Sequence, residues 1–289
     1  MAQPNICATM GGDTRKDEAM VTEDFGMRVS VLASSSSGNA TYIETPTHKV
    51  IVDAGFSGKK MAELMASIDR DLRDVDSLFI THEHSDHVAG VGVLARRYPN
   101  LNIYANKGTF THLPKSVGKL PYDRLHIFES GKTLDMGDLD VESFAVSHDA
   151  AAPQFYQFHH DDHAFTILTD TGYVSDRLAG IIRDSDAYIM EANHDLEMLR
   201  EGPYPWSLKQ RILSDYGHLS NADGANALMD VIGPRTKRVY LGHRSAHNNT
   251  KPLAHLTVAD MLKREGLGVD HDFQLLDTER ASAEPLFTV

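Results

Sequence analysis

From residue 27 onward, apolar and polar positions fall into short blocks of two kinds. "MRVSVLA" alternates with period two and predicts a strand. A Ser/Gly/Asn-rich stretch over 34–39 predicts a turn, and "ATYIE" and "HKVIVDAG" predict the next two strands. Over 57–68, Met61, Leu64, Met65 and Ile68 recur at helical spacing and give one apolar face. Strands are then predicted in "SLFITH" and over 102–105, 125–128 and 139–146, with a helix over 88–97. The second half repeats the alternation. It runs through strand "AFTILTD", a helix over 176–183 and strand "AYIMEAN". Helices over 207–215 and 221–232 follow, then strand "RVYLGH", a helix over 254–265 and a strand near 273–276. Two halves of alternating strands and helices with no long linker predict an α/β fold with helices outside two sheets.

Residues 1–26 break the pattern. They are polar and small, with no apolar centre of the kind a signal peptide needs. A flexible leader is expected there, ahead of one domain over 27–289. No apolar run approaches the roughly 20 residues that cross a bilayer, so no membrane partner is expected. Cys7 is the only cysteine among 289 residues, which excludes an intrachain disulfide and makes the cytoplasm the simplest location. A net charge of −13 argues against broad non-specific binding to nucleic acid, while a local basic groove remains compatible with it.

The chemistry concentrates in "FITHEHSDHVAG". His82, His84, Asp86 and His87 follow a predicted strand and so lie on the loop at its carboxyl end. Alternate positions let His82 and His84 point one way, while Asp86 and His87 continue the turn toward a second centre; Glu83 faces away. Four ligand-type side chains exceed what one tetrahedral ion with an open position needs, so two ions fit better. Later strands end in three more ligands: His148 after "VESFAVS", Asp170 after "FTILT" and His243 after "RVYLG". Such strand ends are where α/β folds gather functional groups. His82, His84 and His148 are expected around one ion and Asp86, His87 and His243 around the other, with Asp170 bridging. Zinc suits the imidazoles and the carboxylates admit manganese. The other histidines of the chain's middle and end, including "HHDDH", are expected in solvated or packed structural positions.

This H-x-H-x-D-H motif with three later ligands in order resembles the metallo-β-lactamase superfamily. The resemblance covers roughly residues 27–280 and implies an αββα sandwich with two metals at one edge between the sheets. It also implies that Asp53 of "VDAG" lies beneath the cluster. The commonest zinc β-lactamases place a cysteine at the second metal, and none is available here. The interval from Asp170 to His243 leaves no room for the inserted domain of the RNA-cleaving β-CASP branch. "MEANHD" and "GHLSN" resemble elements of the phosphodiesterase branch, in which a Glu–His pair, here Glu191 and His218, protonates the leaving oxygen. More narrowly, "SSSSGNATYIE", "VDAGFSGKK", "GPYPWSLKQRILSDYGHLSN" and "GHRSAHNN" resemble the YycJ/WalJ group of bacterial metallohydrolases, associated with 5′-exonuclease activity on DNA and with repair.

The resemblance implies hydroxide, generated from water between two cations and oriented by Asp86, attacking phosphorus in line. Ser36, Ser37 and Asn39 of the 34–39 loop are candidates for phosphate binding, as are Lys59, Lys60, Lys209, Arg211 and Arg244. The competing readings are a thioester or lactone hydrolase of the same fold, which needs neither the Glu–His pair nor a basic groove, an RNA-processing nuclease, and a non-catalytic partner protein.

Overall fold

A computed structural model describes residues 1 and 25–289. The expected leader, apart from residues 1, 25 and 26, therefore lies outside the described residues. In chain order the strands are β1 (Arg28–Ser35), β2 (Gly38–Glu44), β3 (Lys49–Val52), β4 (Ser77–Phe79), β5 (Asn102–Ala105), β6 (Leu125–Ile127) and β7 (Thr133–Asp135). They continue with β8 (Asp140–Ala145), β9 (Gln154–His160), β10 (His163–Leu168), β11 (Ala187–Glu191), β12 (Arg238–Gly242), β13 (Gln274–Asp277) and β14 (Phe287–Thr288). The helices are α1 (Gly58–Ala66), α2 (Ser85–Val88), α3 (Val91–Arg97), α4 (Lys107–His112), α5 (Asp176–Ile182), α6 (Leu196–Glu201), α7 (Trp206–Ile212), α8 (Asn221–Val231) and α9 (Lys251–Arg264).

The strands form two seven-stranded sheets, ordered β14-β1-β2-β3-β4-β5-β6 and β13-β12-β11-β10-β9-β8-β7. The period-two pattern explains the layering. Along β3, Val50 and Val52 enter the core between the sheets, while Ile51 enters a second core under α1 and α3. Ile43 and Tyr42 of β2 divide in the same way. Both faces of each central strand are thus buried, one by the opposite sheet and one by helices, and the result is a four-layer αββα sandwich. Phe79, Tyr156 and Phe158 meet edge-on between the sheets. β14 returns from the end of the chain to pair antiparallel with β1, Phe287 opposite Val29, and its phenyl ring stacks on Tyr240 of the other sheet.

Three expectations are corrected. The 34–39 turn is confined to Ser36 and Ser37, because β1 and β2 run on to Ser35 and from Gly38 as a tight hairpin. The helix over 88–97 is two pieces, α2 and α3, joined through Ala89 and Gly90. "HHDDH", expected as a solvated turn, is one only in part: His159 and His160 end β9, Asp161 takes a left-handed φ of 50° at the hairpin tip, and His163 starts β10. His160 is buried, with Nδ1 2.6 Å from the Asp138 carbonyl oxygen.

Strand direction positions the site. β3 to β6 are parallel to one another, as are β10 to β13. β8 shares the direction of β10 because both are antiparallel to β9. The carboxyl ends of β3, β4, β8, β10, β11 and β12 therefore open on one edge of the sandwich.

Candidate metal centre

Three strands leave their extended course at the residue that enters this edge. Asp53, Asp170 and His243 carry φ of 61°, 50° and 52°. Asp and His tolerate this left-handed region better than bulkier residues, at a cost of about 1–3 kcal/mol each. The turn after β3 is pressed onto α2: a Cβ on Gly55 would lie 1.8 Å from the Asp86 carbonyl oxygen, so only glycine fits there. The single turn of α2, with His84 at its N-cap, then delivers Asp86 and His87.

The side chains converge. Ligand atoms of His82, His84 and His148 lie within 4.8 Å of one another, as do those of Asp86, His87 and His243, and those of His82, His87 and Asp170. A fourth such group joins Asp170, Glu191, His218 and His243. Asp170 sits among them, Oδ1 3.2 Å from His243 Nε2 and Oδ2 3.4 Å from His87 Nε2. Among the described residues, every group of this kind is drawn from this one cluster.

The arrangement fits divalent cations. His82 Nε2 is fully buried and has no hydrogen-bond partner. His84 Nδ1 and His148 Nε2 face each other at 3.2 Å. The opposite ring atoms are engaged, which turns the other nitrogens into the cluster: His87 Nδ1 donates to Asp53 Oδ2 at 2.7 Å, His148 Nδ1 to Gly217 O at 3.1 Å and His243 Nδ1 to Glu191 Oε1 at 3.0 Å. Carboxylate or carbonyl oxygens behind imidazoles are the usual support of metal-ligating histidines. Asp53 is itself fixed by the Thr81 amide, at 2.9 Å, and hydroxyl, at 2.8 Å.

The protonation pattern follows from this crowding. Burial opposes a charge on His87, but Asp53, Asp170 and Asp86 outweigh it and raise its pKa well above the ordinary value. The same contest, won by Asp170, Asp86 and Glu191, pushes His243 up to about 10. Burial holds His82 well below the ordinary histidine value. Glu191, though buried, is drawn down to about 2 by His218 and His243. Asp86, Asp170 and Glu191, each held below its ordinary value by the histidines around it, thus demand positive charge here, from protons or from cations that displace them.

The remaining expected residues are placed as follows. His218 Nδ1 donates to Glu191 Oε1 at 2.8 Å, and Glu191 Oε2 accepts from the amides of Thr171 and Leu219, each at 3.1 Å. Asn39 is buried, its amide nitrogen 3.0 Å from Ser35 O and 3.1 Å from His87 Nε2, so it supports the cluster from below. Ser36 and Ser37 are exposed at the hairpin tip. Lys59 is exposed on α1, 3.9 Å from Glu63. Glu83 turns away and accepts from the Ala151 amide at 2.7 Å.

Two candidate phosphate contacts are corrected. Lys209 is buried and donates to the carbonyls of Arg200 and Gly202 at 2.6 and 2.7 Å, capping the end of α6. Arg244 is buried and donates to the carbonyls of Leu241 and Thr278, tying β12 to the segment after β13. Neither charge is free for a ligand. Arg211, by contrast, is half-exposed and pairs with Asp149, whose other oxygen lies 3.4 Å from His148 Nε2. Sequence reading missed Thr81, Asp149 and Asn193, whose amide donates to His243 O at 2.8 Å. Thr81, Asp149 and Asn193 lie one or two residues from His82, His148 and Glu191, and that adjacency was the available signal.

Comparison with known proteins agrees with this geometry. The beta-lactamase superfamily domain model matches residues 48–243, an interval that holds every residue of the cluster. The chain is 56% identical over 265 residues to exodeoxyribonuclease WalJ of Streptococcus pneumoniae, covering 91% of this chain and 98% of the relative. It is 48% identical to exodeoxyribonuclease YycJ of Bacillus anthracis, covering 88% and 96%. The metallo-beta-lactamase fold protein YhfI of Bacillus subtilis shares the fold, with a TM-score of 0.68 at 14% identity over 89% of this chain and 98% of that one. The family model and the near-full-length relatives together make this chain a member of the metallo-β-lactamase superfamily, whose fold is that of metal-dependent hydrolases.

Proposed function

We propose that the chain is a metal-dependent exodeoxyribonuclease, acting from 5′ ends, with zinc or manganese as its cation. The two near-full-length relatives are named exodeoxyribonucleases, which supports DNA as the substrate. One geometric observation carries the phosphodiesterase chemistry: Glu191 holds His218 at 2.8 Å on the rim of the ligand cluster. His218 is only partly buried, and its ring lies 5.0 Å from that of His148 and 5.2 Å from that of His243. A thioester or lactone hydrolase has no use for such a pair; a phosphodiester does, because its alkoxide leaves poorly without a proton.

His82, His84 and His148, and Asp86, His87 and His243, with Asp170 between the two groups, would hold divalent cations, which when bound would polarise the phosphoryl oxygens and acidify water. Asp53, Gly217 O and Glu191 set which nitrogen of His87, His148 and His243 faces inward. Asp86, the most exposed of the carboxylates, accepts a hydrogen bond from the attacking water and orients it. Glu191 holds His218 through Nδ1 at 2.8 Å, and His218 gives its Nε2 proton to the departing oxygen. Arg211, half-exposed and paired with Asp149, would reach a neighbouring phosphate by giving up that partner. A DNA substrate and a single cysteine support a cytoplasmic location.

The test is cleavage of 5′-labelled and 3′-labelled single- and double-stranded DNA, and of matched RNA, by chelator-treated protein resupplied with zinc or manganese. Metal-dependent release of nucleotides from 5′ ends of DNA is expected. RNA preference, or no cleavage with either metal, overturns the reading.

A further inference from the structure

A groove of about 450 Å³ opens beside His148. That is within the ~300–1,000 Å³ of small-ligand sites. Ala145, Val146, Leu178, Tyr173 and Tyr216 line it, with His148 shared between the groove and the ligand cluster. The two tyrosines are 49% and 62% exposed. Single exposed aromatics are ordinary on a protein surface. Two that wall one groove against a buried ligand cluster are not explained by packing.

The groove is built rather than incidental. A Cβ on Gly172 would lie 2.2 Å from the backbone of Asp215, so the two loops touch at the residues that precede Tyr173 and Tyr216. The Gly172 amide donates to Ser147 O at 2.9 Å, and the Thr171 hydroxyl donates to Tyr173 O at 2.8 Å. Gly217 O accepts from His148 Nδ1 at 3.1 Å. The loops after β8 and β10 and the one before α8 are therefore locked together, with one aromatic ring carried on each of the last two. The same loops carry Asp170 and His218, so anything seated in the groove has its position fixed relative to the reacting phosphate.

Resting on the nuclease reading above, we propose that Tyr173 and Tyr216 seat the nucleobase that adjoins the reacting phosphate of a single-stranded DNA end. Stacking on an aromatic ring accepts any base, since every base has a π-face, which suits an exonuclease that must advance through arbitrary sequence. It also requires an unpaired base. A blunt duplex has to fray before its terminal nucleotide enters, and single strands and overhangs are degraded faster.

The test uses the metal-loaded full chain and oligonucleotides whose terminal linkage is a phosphorothioate and whose terminal base is 2-aminopurine. Wild type is expected to quench the fluorophore on binding. Tyr173→Ala and Tyr216→Ala should bind roughly 5- to 150-fold more weakly, the worth of one stacked base, while Tyr216→Phe keeps the affinity. Replacing the terminal nucleotide with an abasic one should cost wild type a similar factor or more and cost Tyr216→Ala, which keeps only Tyr173, a smaller one, a ratio taken within each protein that a mildly destabilised variant still reports. Wild type that binds and degrades DNA without quenching, or an abasic penalty equal in wild type and variant, overturns this inference alone. Wild type that binds no DNA removes the nuclease reading and this one together.

Discussion

One oxygen of Glu191 serves two histidines: Oε1 accepts from His218 Nδ1 at 2.8 Å and from His243 Nδ1 at 3.0 Å. The carboxylate thereby links the residue assigned as proton donor to one assigned as metal ligand. His218→Ala is expected to leave metal content intact and lower turnover of DNA by about 10²–10⁴, as for a lost general acid. A nitrophenyl phosphodiester, whose leaving group needs no proton, should lose much less. Equal losses on both substrates would remove His218 from proton transfer and favour a small-molecule hydrolase.

Asp170 lies between the two three-residue groups, and its loss cannot stay local. Asp170→Ala should abolish activity and bring metal content of purified protein, measured by emission spectrometry, below one ion per chain. A variant that retains one tight ion and near-normal turnover would show that no bridge exists.

Asp53 accepts three bonds, from the Thr81 amide, the Thr81 hydroxyl and His87 Nδ1. Asp53→Ala orphans the buried Thr81 amide, at about 1–3 kcal/mol, and leaves His87 Nδ1 only the Thr81 hydroxyl at 3.2 Å. A fall in melting temperature of several degrees is expected, with a 10–100-fold loss of metal affinity from the misdirected imidazole. Unchanged metal affinity in the variant would mean that Thr81 alone orients His87.

The metal-free protein should respond to pH in a set direction. His243, raised to about 10 in the fold from 6.5, stabilises the metal-free fold as an imidazolium below pH 6.5 and loses that contribution as pH rises through 10. The melting temperature of chelator-treated protein should fall across this window. Zinc, which needs the neutral ring, should raise it by an increment that grows over the same range. An increment independent of pH would separate His243 from cation binding.

Residues 1–24 are expected to be dispensable for activity. Phe25 is not wholly idle, since the Arg28 guanidinium sits 3.9 Å from its ring centroid. A chain starting at Met27 should keep normal turnover and lose under about 1 kcal/mol, the worth of an exposed cation–π contact. A larger loss in chemical denaturation, or lost activity, overturns this.

Much of the site could be read from the sequence because its ligands are single polar residues that interrupt apolar strands. His148, Asp170 and His243 stand out on periodicity alone, and the spacing of His82, His84, Asp86 and His87 adds direction. Lys209 and Arg244 misled for a reason that local pattern does not contain. Whether a cation faces solvent or caps a carbonyl depends on which chain segment passes beneath it, and for Arg244 that segment, ending in Thr278, is 34 residues away. The groove of Tyr173 and Tyr216 was equally hidden, since it exists only where two distant loops touch at Gly172. β9 was missed because "QFYQFHH" is apolar and polar on both faces, and its inward side is decided by the opposite sheet.

The pairing of β14 with β1 has a consequence for synthesis. Most of the outer edge of β1 waits for residues 279–288, whose backbone meets Arg28, Val29, Val31 and Ser34. At translation rates of about 5–20 residues per second, the interval is on the order of tens of seconds. During it the nascent chain presents an unpaired, apolar strand edge of the sort that recruits other strands. Completion of the first sheet therefore waits on a segment about 250 residues downstream of β1, and a partner that shields this edge would act until that segment pairs.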